Sequence, residues 1–151
     1  MTCVTLHRGF WYIGVFGMKN IAIKEHHLYN KAFQRGKRQV GRYVAVYVLR
    51  DLAAQRLRNA HPEKILVNRL GLSVSKKIGG AVQRNRAKRL MRAAYDTLKA
   101  DLSAGNLIVI SPRAAILDAK SQDVAAELKI AFSQLGLLRP KACDNGDKTS
   151  T

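Results

Sequence analysis

Arg69-Leu70-Gly71-Leu72-Ser73-Val74-Ser75-Lys76-Lys77-Ile78-Gly79-Gly80-Ala81-Val82-Gln83-Arg84-Asn85-Arg86-Ala87-Lys88-Arg89-Leu90-Met91-Arg92 changes periodicity halfway along, and that change decides the fold. Leu70 to Ser75 reads as a strand. Gly79-Gly80 then breaks the pattern, and beyond it Ala87, Leu90, Met91, Ala94 and Leu98 recur at helical spacing. The spacing predicts a helix from about Ala81 to Leu102, ended by Gly105 and Asn106. Its apolar side faces a sheet. Asn85, Lys88, Arg89 and Arg92 project from the opposite side, with Arg84 and Arg86 nearer the flanks.

Outward from this unit the other elements follow. Gly41 to Arg50 is rich in β-branched and aromatic residues and reads as a strand. Its alternation sets Tyr43, Ala45, Tyr47 and Leu49 against Val44, Val46 and Val48. Ile65-Leu66-Val67 and Leu70–Ser75 are expected as a strand pair, or as one long strand, after a polar connection from Asp51 to Lys64 that holds Arg56, Arg58 and Pro62. Upstream, Glu25–Arg35 is predicted helical, with i,i+4 pairs Leu28/Ala32 and Tyr29/Phe33 and Gly36 as its C′ residue. Downstream, Leu107–Ile110 is a short apolar strand. Ser121–Leu135 is a last helix, carrying Val124, Leu128, Ala131, Phe132 and Leu135 on one face. The order αβββαβα describes an α+β sandwich, helices packed on one mixed sheet.

A chain of 151 residues, 47% apolar and 25% charged, has the makings of one globular core. Its charge balance is unusual: 27 Lys and Arg against 10 Asp and Glu leave a formal +17. Self-repulsion on that scale destabilises a compact domain, so the excess points to a polyanion, nucleic acid first and an anionic membrane second. This arithmetic excludes a collagen-like chain, a disulfide scaffold and a multi-domain enzyme. Cys3 and Cys143 are too few and too peripheral for a disulfide framework, and a reducing compartment is the simpler reading. No apolar run has the length of a membrane span. Gly9 to Met18 resembles the apolar core of an export signal, but no small-x-small cleavage site follows it. Residues 1–18 are therefore expected to form a flexible extension, with Met18 as the natural start, and 140–151 a disordered tail.

The charge is concentrated. From Lys64 to Tyr95 there is no acidic residue, while Lys64, Arg69, Lys76, Lys77, Arg84, Arg86, Lys88, Arg89 and Arg92 are all basic. A solvated helix face ordinarily mixes signs, so a merely solubilising role is the weaker reading. Several of these cations fall in the first turns of the helix, where the macrodipole is itself positive. A phosphate bound by the free N–H groups beside Gly79 and Gly80 resolves that conflict. Tyr29 with Phe33, and Tyr43 with Tyr47, occupy shared faces. Such pairs serve as core or as stacking platforms for single-stranded nucleic acid, and spacing alone does not choose.

Equally informative is the missing chemistry. Glu25, Asp51, Glu63, Asp96, Asp101, Asp118, Asp123 and Glu127 are scattered, without the carboxylate cluster that a two-metal nuclease needs. There is no GxSxG motif and no P-loop. His26 and His27 are adjacent and diverge on a helix, and His61 has no visible partner. No catalytic and no metal-ligating residue is assigned.

The stretch from Gly71 to Arg92 resembles the signature GxSVSKKxGxAVxRNRxKRxxRE of the protein component of bacterial ribonuclease P; only Ala93 departs, where the family commonly has an acidic or amide residue. The resemblance extends over 19–139, with a longer connection at Arg56–Lys64. It implies a fold similar to the second domain of ribosomal protein S5, with a left-handed βαβ crossover carrying the RNR helix, against the usual hand. It further implies that the RNA subunit cleaves precursor tRNA to free the mature 5′ end, with Mg2+ serving that RNA-centred reaction. Ser73, Lys76, Lys77, Arg84, Asn85, Arg86, Lys88, Arg89 and Arg92 match positions that bind the catalytic RNA. Tyr29, Phe33 and Tyr47 match aromatics lining a cleft for the single-stranded 5′ leader, and Arg42 is placed with them. The implied partners are the catalytic RNA and precursor tRNA, in the cytoplasm, with no membrane and no protein partner required. A structural RNA or DNA binder and a self-sufficient nuclease are the rival classes.

Overall fold

A computed structural model describes residues 21–53 and 68–139. In chain order the elements are β1 (Ile21–Ala22), α1 (His26–Arg35), β2 (Lys37–Val40), β3 (Val44–Arg50), β4 (Arg69–Leu72), α2 (Ala81–Leu98), β5 (Asn106–Pro112) and α3 (Ser121–Gln134). Short 3-10 turns at Lys76–Ile78, Lys99–Asp101 and Ala114–Asp118 link them. The strands lie in the order β1-β4-β5-β3-β2. β4 runs parallel to β1 and β5, whereas β3 is antiparallel to both β5 and β2. Because β4 and β5 are parallel neighbours, α2 between them is a crossover connection.

Alternation along the central strands builds two cores. Val44, Val46 and Val48 of β3, with Ile108 and Ile110 of β5, are buried beneath Ala87, Met91 and Tyr95 of α2 and Val124, Leu128 and Phe132 of α3. The Tyr95 and Phe132 rings meet edge to face at 6.2 Å. On the opposite side Leu107 and Val109 pack with Ile23 and with Ala32 of α1, flanked by Leu28, Tyr29, Tyr47 and Leu49. The result is an α+β sandwich, α1 on one face of a mixed sheet and α2 with α3 on the other. At the start of β4 and β5, Asn68 ties the loops together: its Oδ1 accepts from Asn106 N and its Nδ2 donates to Ser103 O. Asp51 forms a buried ion pair with Arg69 at 3.1 Å.

The order αβββαβα holds, preceded by the two-residue β1; β3 falls within the strand expected at Gly41–Arg50 and β4 overlaps the one expected at Leu70–Ser75, but one of the three middle strands was not read from the sequence. That strand is β2, whose residues Lys37-Arg38-Gln39-Val40 have little strand propensity and are recruited by pairing with β3 (Lys37 opposite Val48, Val40 opposite Ala45). Ile65–Val67, the long connection, and the two terminal segments lie outside the described residues. Tyr43 precedes β3 instead of belonging to it and packs against the core beneath α3, away from Tyr47. α2 stops at Leu98, where a 3-10 turn takes over. Gly36 ends α1 with φ −73°, so its small size, not a left-handed backbone, is what matters: a Cβ there collides with the Ala32 carbonyl.

Candidate nucleic-acid interface

The start of α2 is set by two glycines. Gly79 has φ +133°, a conformation that L side chains rarely adopt, and Gly80 N–H donates to Gln83 Oε1 at 3.0 Å, closing the first turn. Just before it, Ser75 Oγ accepts from Lys77 N at 3.3 Å and leaves the Lys76 and Lys77 side chains exposed. Asn85, Arg89 and Arg92 are exposed, as predicted for the outer side of the helix, and Arg86, expected nearer the flank, is exposed as well.

Lys88 is placed differently from the prediction, whereas Arg84 lies on the flank where it was expected. Both are half-buried. They stand one turn apart on the same edge of α2, and Tyr95, buried further along, was missed in the apolar set. Val74, Ala81, Arg84, Asn85 and Lys88 line a hollow of about 200 Å³. A second hollow, about 330 Å³, lies beyond it at the sheet edge; Tyr29, Leu70, Leu72, Lys88, Arg92 and Asp96 line it. Lys88 therefore stands at both. Arg84 Nε is inaccessible to solvent and has no hydrogen-bond partner among the described residues. The ion pairs among the described residues are Glu25–His27, Asp51–Arg69 and Asp96–Lys99, and none of the five cations of α2 is paired with a carboxylate among them. The phenol of Tyr95, behind this surface, is pushed up to about 12 by burial and then by the Asp96 carboxylate, against a lowering hydrogen bond with Asn68.

On the other face of the sheet, α1 covers only part of β3 and β5. Phe33 is 38% exposed at the border, and its ring meets that of Tyr47 edge to face at 4.7 Å. Tyr29 sits deeper, against Gly71: a Cβ on Gly71 would lie 2.6 Å from its Cε1, so the tyrosine requires the glycine. Burial raises the Tyr29 phenol pKa, partly offset by a backbone hydrogen bond at Leu72. Register extends this surface past α1. Residues opposed across strands share a face, so Arg38 lies beside Tyr47, and Val40, Ala45 and Ser111 form a row. Ser73, whose N–H donates to Ile110 O at 3.0 Å, continues β4 by one residue and shares Gly71's side by alternation. It thus belongs with the aromatic cleft and not with Lys76 and Lys77.

Arg42 is exposed in the β2–β3 turn, its guanidinium 5.5 Å from the Tyr43 ring centre. Arg38, Val40 and Ser111 were missed because their position depends on which strands pair, which no local pattern in Lys37–Val40 reveals. Among the described residues no three His, Cys, Asp or Glu side chains gather as metal ligands, and His27 is engaged with Glu25 at 3.2 Å. Nor is any described helix long and apolar enough to cross a membrane.

Fold and surface together define a class: a small, strongly basic α+β protein with two adjoining surfaces, one cationic and one aromatic, of the kind that holds nucleic acid. The chain belongs to the ribonuclease P protein family, whose model, described as Ribonuclease P, matches residues 18–136. It is 35% identical over 123 residues to the ribonuclease P protein component of Bacillus cereus strain B4264, covering 82% of this chain and 97% of that one. To the ribonuclease P protein component of Bacillus anthracis strain A0248 it is 33% identical over 124 residues, with 82% and 95% covered. Among solved structures, the RNase P protein of Staphylococcus aureus superposes with TM-score 0.64 at 24% identity, over 80% of this chain and all 100% of that one. The RNase P protein of Thermotoga maritima gives 0.58 at 22%, over 77% and 96%. At these identities the two structures bear on the fold. Membership makes the chain a protein component of ribonuclease P, the complex of tRNA 5′ processing, and implies an RNA partner.

Proposed function

We propose that α2 binds the catalytic RNA of ribonuclease P and that the cleft beneath α1 holds the 5′ leader of precursor tRNA, while the RNA subunit carries out the cleavage. The observation that carries this reading is the cation set of α2, paired with no carboxylate among the described residues, with Arg84 Nε buried and unsatisfied beside Lys88. A buried donor without a partner is costly, and a phosphate oxygen in the hollow between Val74 and Lys88 supplies what Arg84 lacks. Lys76, Lys77, Arg84, Asn85, Arg86, Lys88, Arg89 and Arg92 form the catalytic-RNA set. Tyr29, Phe33, Arg42, Tyr47 and Ser73 form the leader set, the Phe33–Tyr47 pair offering a ring face to an unstacked base and Arg42 a charge to its phosphate.

The protein's part is binding and electrostatics. Its cations screen repulsion between two RNAs, so the complex assembles at lower magnesium. Magnesium ions supply the RNA-centred step, and no residue of this chain is assigned to hold one. A grip on the leader adds affinity for precursor that the mature product lacks, which also favours product release. The reading needs no further protein partner and suits the cytoplasm.

The test is cleavage of precursor tRNA at low magnesium by catalytic RNA alone, by the protein alone, and by both. Activity only with both, ending at the mature 5′ terminus, is the expected outcome. Activity of the protein alone would make it a nuclease in its own right, and absence of stimulation would leave a general RNA binder.

A further inference from the structure

The turn that carries Arg42 is held from a distant element. Glu127, half-buried on α3, accepts from Val44 N at 2.9 Å through Oε1 and from Tyr43 N at 2.9 and 3.1 Å through its two oxygens. The carboxylate comes so close that a Cβ on Gly41 would collide with it. Arg113 braces the other side: Nη1 donates to Gly41 O and its backbone N–H to Tyr43 O, both at 2.8 Å. Gly41 N–H donates in turn to Val44 O at 2.8 Å. Gly41, Tyr43 and Val44 are thus all anchored, while the Arg42 side chain points to solvent with the Tyr43 ring beside it. A three-residue connection between β2 and β3 needs far less than this. Two long-range side chains converging on one short turn fix where its single exposed cation stands.

We infer that Glu127 is a positioning residue for Arg42: from α3 it sets the turn that presents this guanidinium to solvent beside the Tyr43 ring. The inference rests on the proposed leader-binding role of Arg42. It gives α3, which shares no residue with either proposed RNA surface, a part in substrate discrimination. Charge-assisted bonds from a carboxylate to backbone N–H groups are among the stronger and more directional that a turn can have.

Holoenzyme assembled from full-length chain and catalytic RNA is titrated with precursor and with mature tRNA, using Arg42→Ala, Glu127→Ala, the double variant and Glu127→Gln. Losing one phosphate contact weakens precursor binding about fivefold, with mature tRNA unchanged. Glu127→Ala is expected to give a loss of the same kind, and the double variant no more than Arg42→Ala alone. Glu127→Gln, which keeps one acceptor oxygen, retains most of the affinity. Independently of RNA, the Tyr43 and Val44 amides are expected to exchange hydrogen about tenfold faster in Glu127→Ala. Losses that multiply in the double variant, equal weakening of precursor and mature tRNA, or unchanged exchange at those amides would overturn the inference. If Arg42→Ala leaves precursor binding intact, the leader role of Arg42 fails and takes the inference with it. If Arg42→Ala weakens precursor binding but Glu127→Ala does not, only the inference fails.

Discussion

Arg84 differs from the exposed cations of α2 in depth: its Nε is shut off from water while Arg86 and Arg89 stand in it. Arg86→Ala or Arg89→Ala should therefore weaken assembly with the catalytic RNA while leaving the melting temperature of the free protein almost unchanged. Arg84→Lys, which keeps the charge but removes the Nε donor and the planar fork, should still lose about 1–2 kcal/mol of assembly free energy in a titration. In the cleft, Phe33→Ala and Tyr47→Ala should each cost precursor tRNA about 1–3 kcal/mol and spare mature tRNA, as stacking on one base would. Equal losses for both tRNAs would sink the leader assignment. The types of these residues were legible in the sequence; their depths were not. Helical angle tells which way a side chain leaves its own axis, but not what it meets: Arg84 shares its hollow with Val74, past the end of β4.

At the scale of elements, α2 was readable because three signals agree on it: paired glycines at the start, an apolar stripe, and one-signed charge. Gly79→Ala tests the start, forcing a side chain into φ +133° and onto Gln83. It should cost about 1–3 kcal/mol in urea unfolding. Tyr95 adds a pH dependence. Its phenol is raised from 10.0 to about 12 in the fold, so the stability it contributes is complete below pH 10 and is lost as pH climbs from there toward 12. Unfolding at pH 9 and pH 11 should show that fall, and Tyr95→Phe should make it shallower; Tyr29, raised in the same direction, keeps the remainder. β2 was not readable. Four residues with two cations and no apolar alternation become a strand only because β3 offers an open edge, a fact about the sheet and not about the segment.

For the molecule as a whole, the net charge of +17 was the plainest message of the composition, and the fold explains its arrangement by putting the basic helix and the aromatic cleft on opposite layers that meet at the β1–β4 edge of the sheet, where Tyr29, Lys88 and Arg92 line one hollow. Association with RNA should weaken steeply with salt. Each Arg→Ala on α2 that removes a phosphate contact should reduce the slope of log affinity against log salt by about 0.7–0.9. Fold class was legible here, from the succession of elements. Strand order was not, since nothing local says that β5 inserts between β4 and β3.

The collision that a Cβ on Gly41 would make with Glu127 reaches beyond this one chain. Residues 86 positions apart cannot vary independently when one fills the space that the other must leave. In descendants and cousins of this protein, a side chain at position 41 should arrive together with a shorter residue at 127. A glutamate at 127 should keep company with glycine at 41, leaving the trace of a three-dimensional contact as a correlated pair of columns in the family's history.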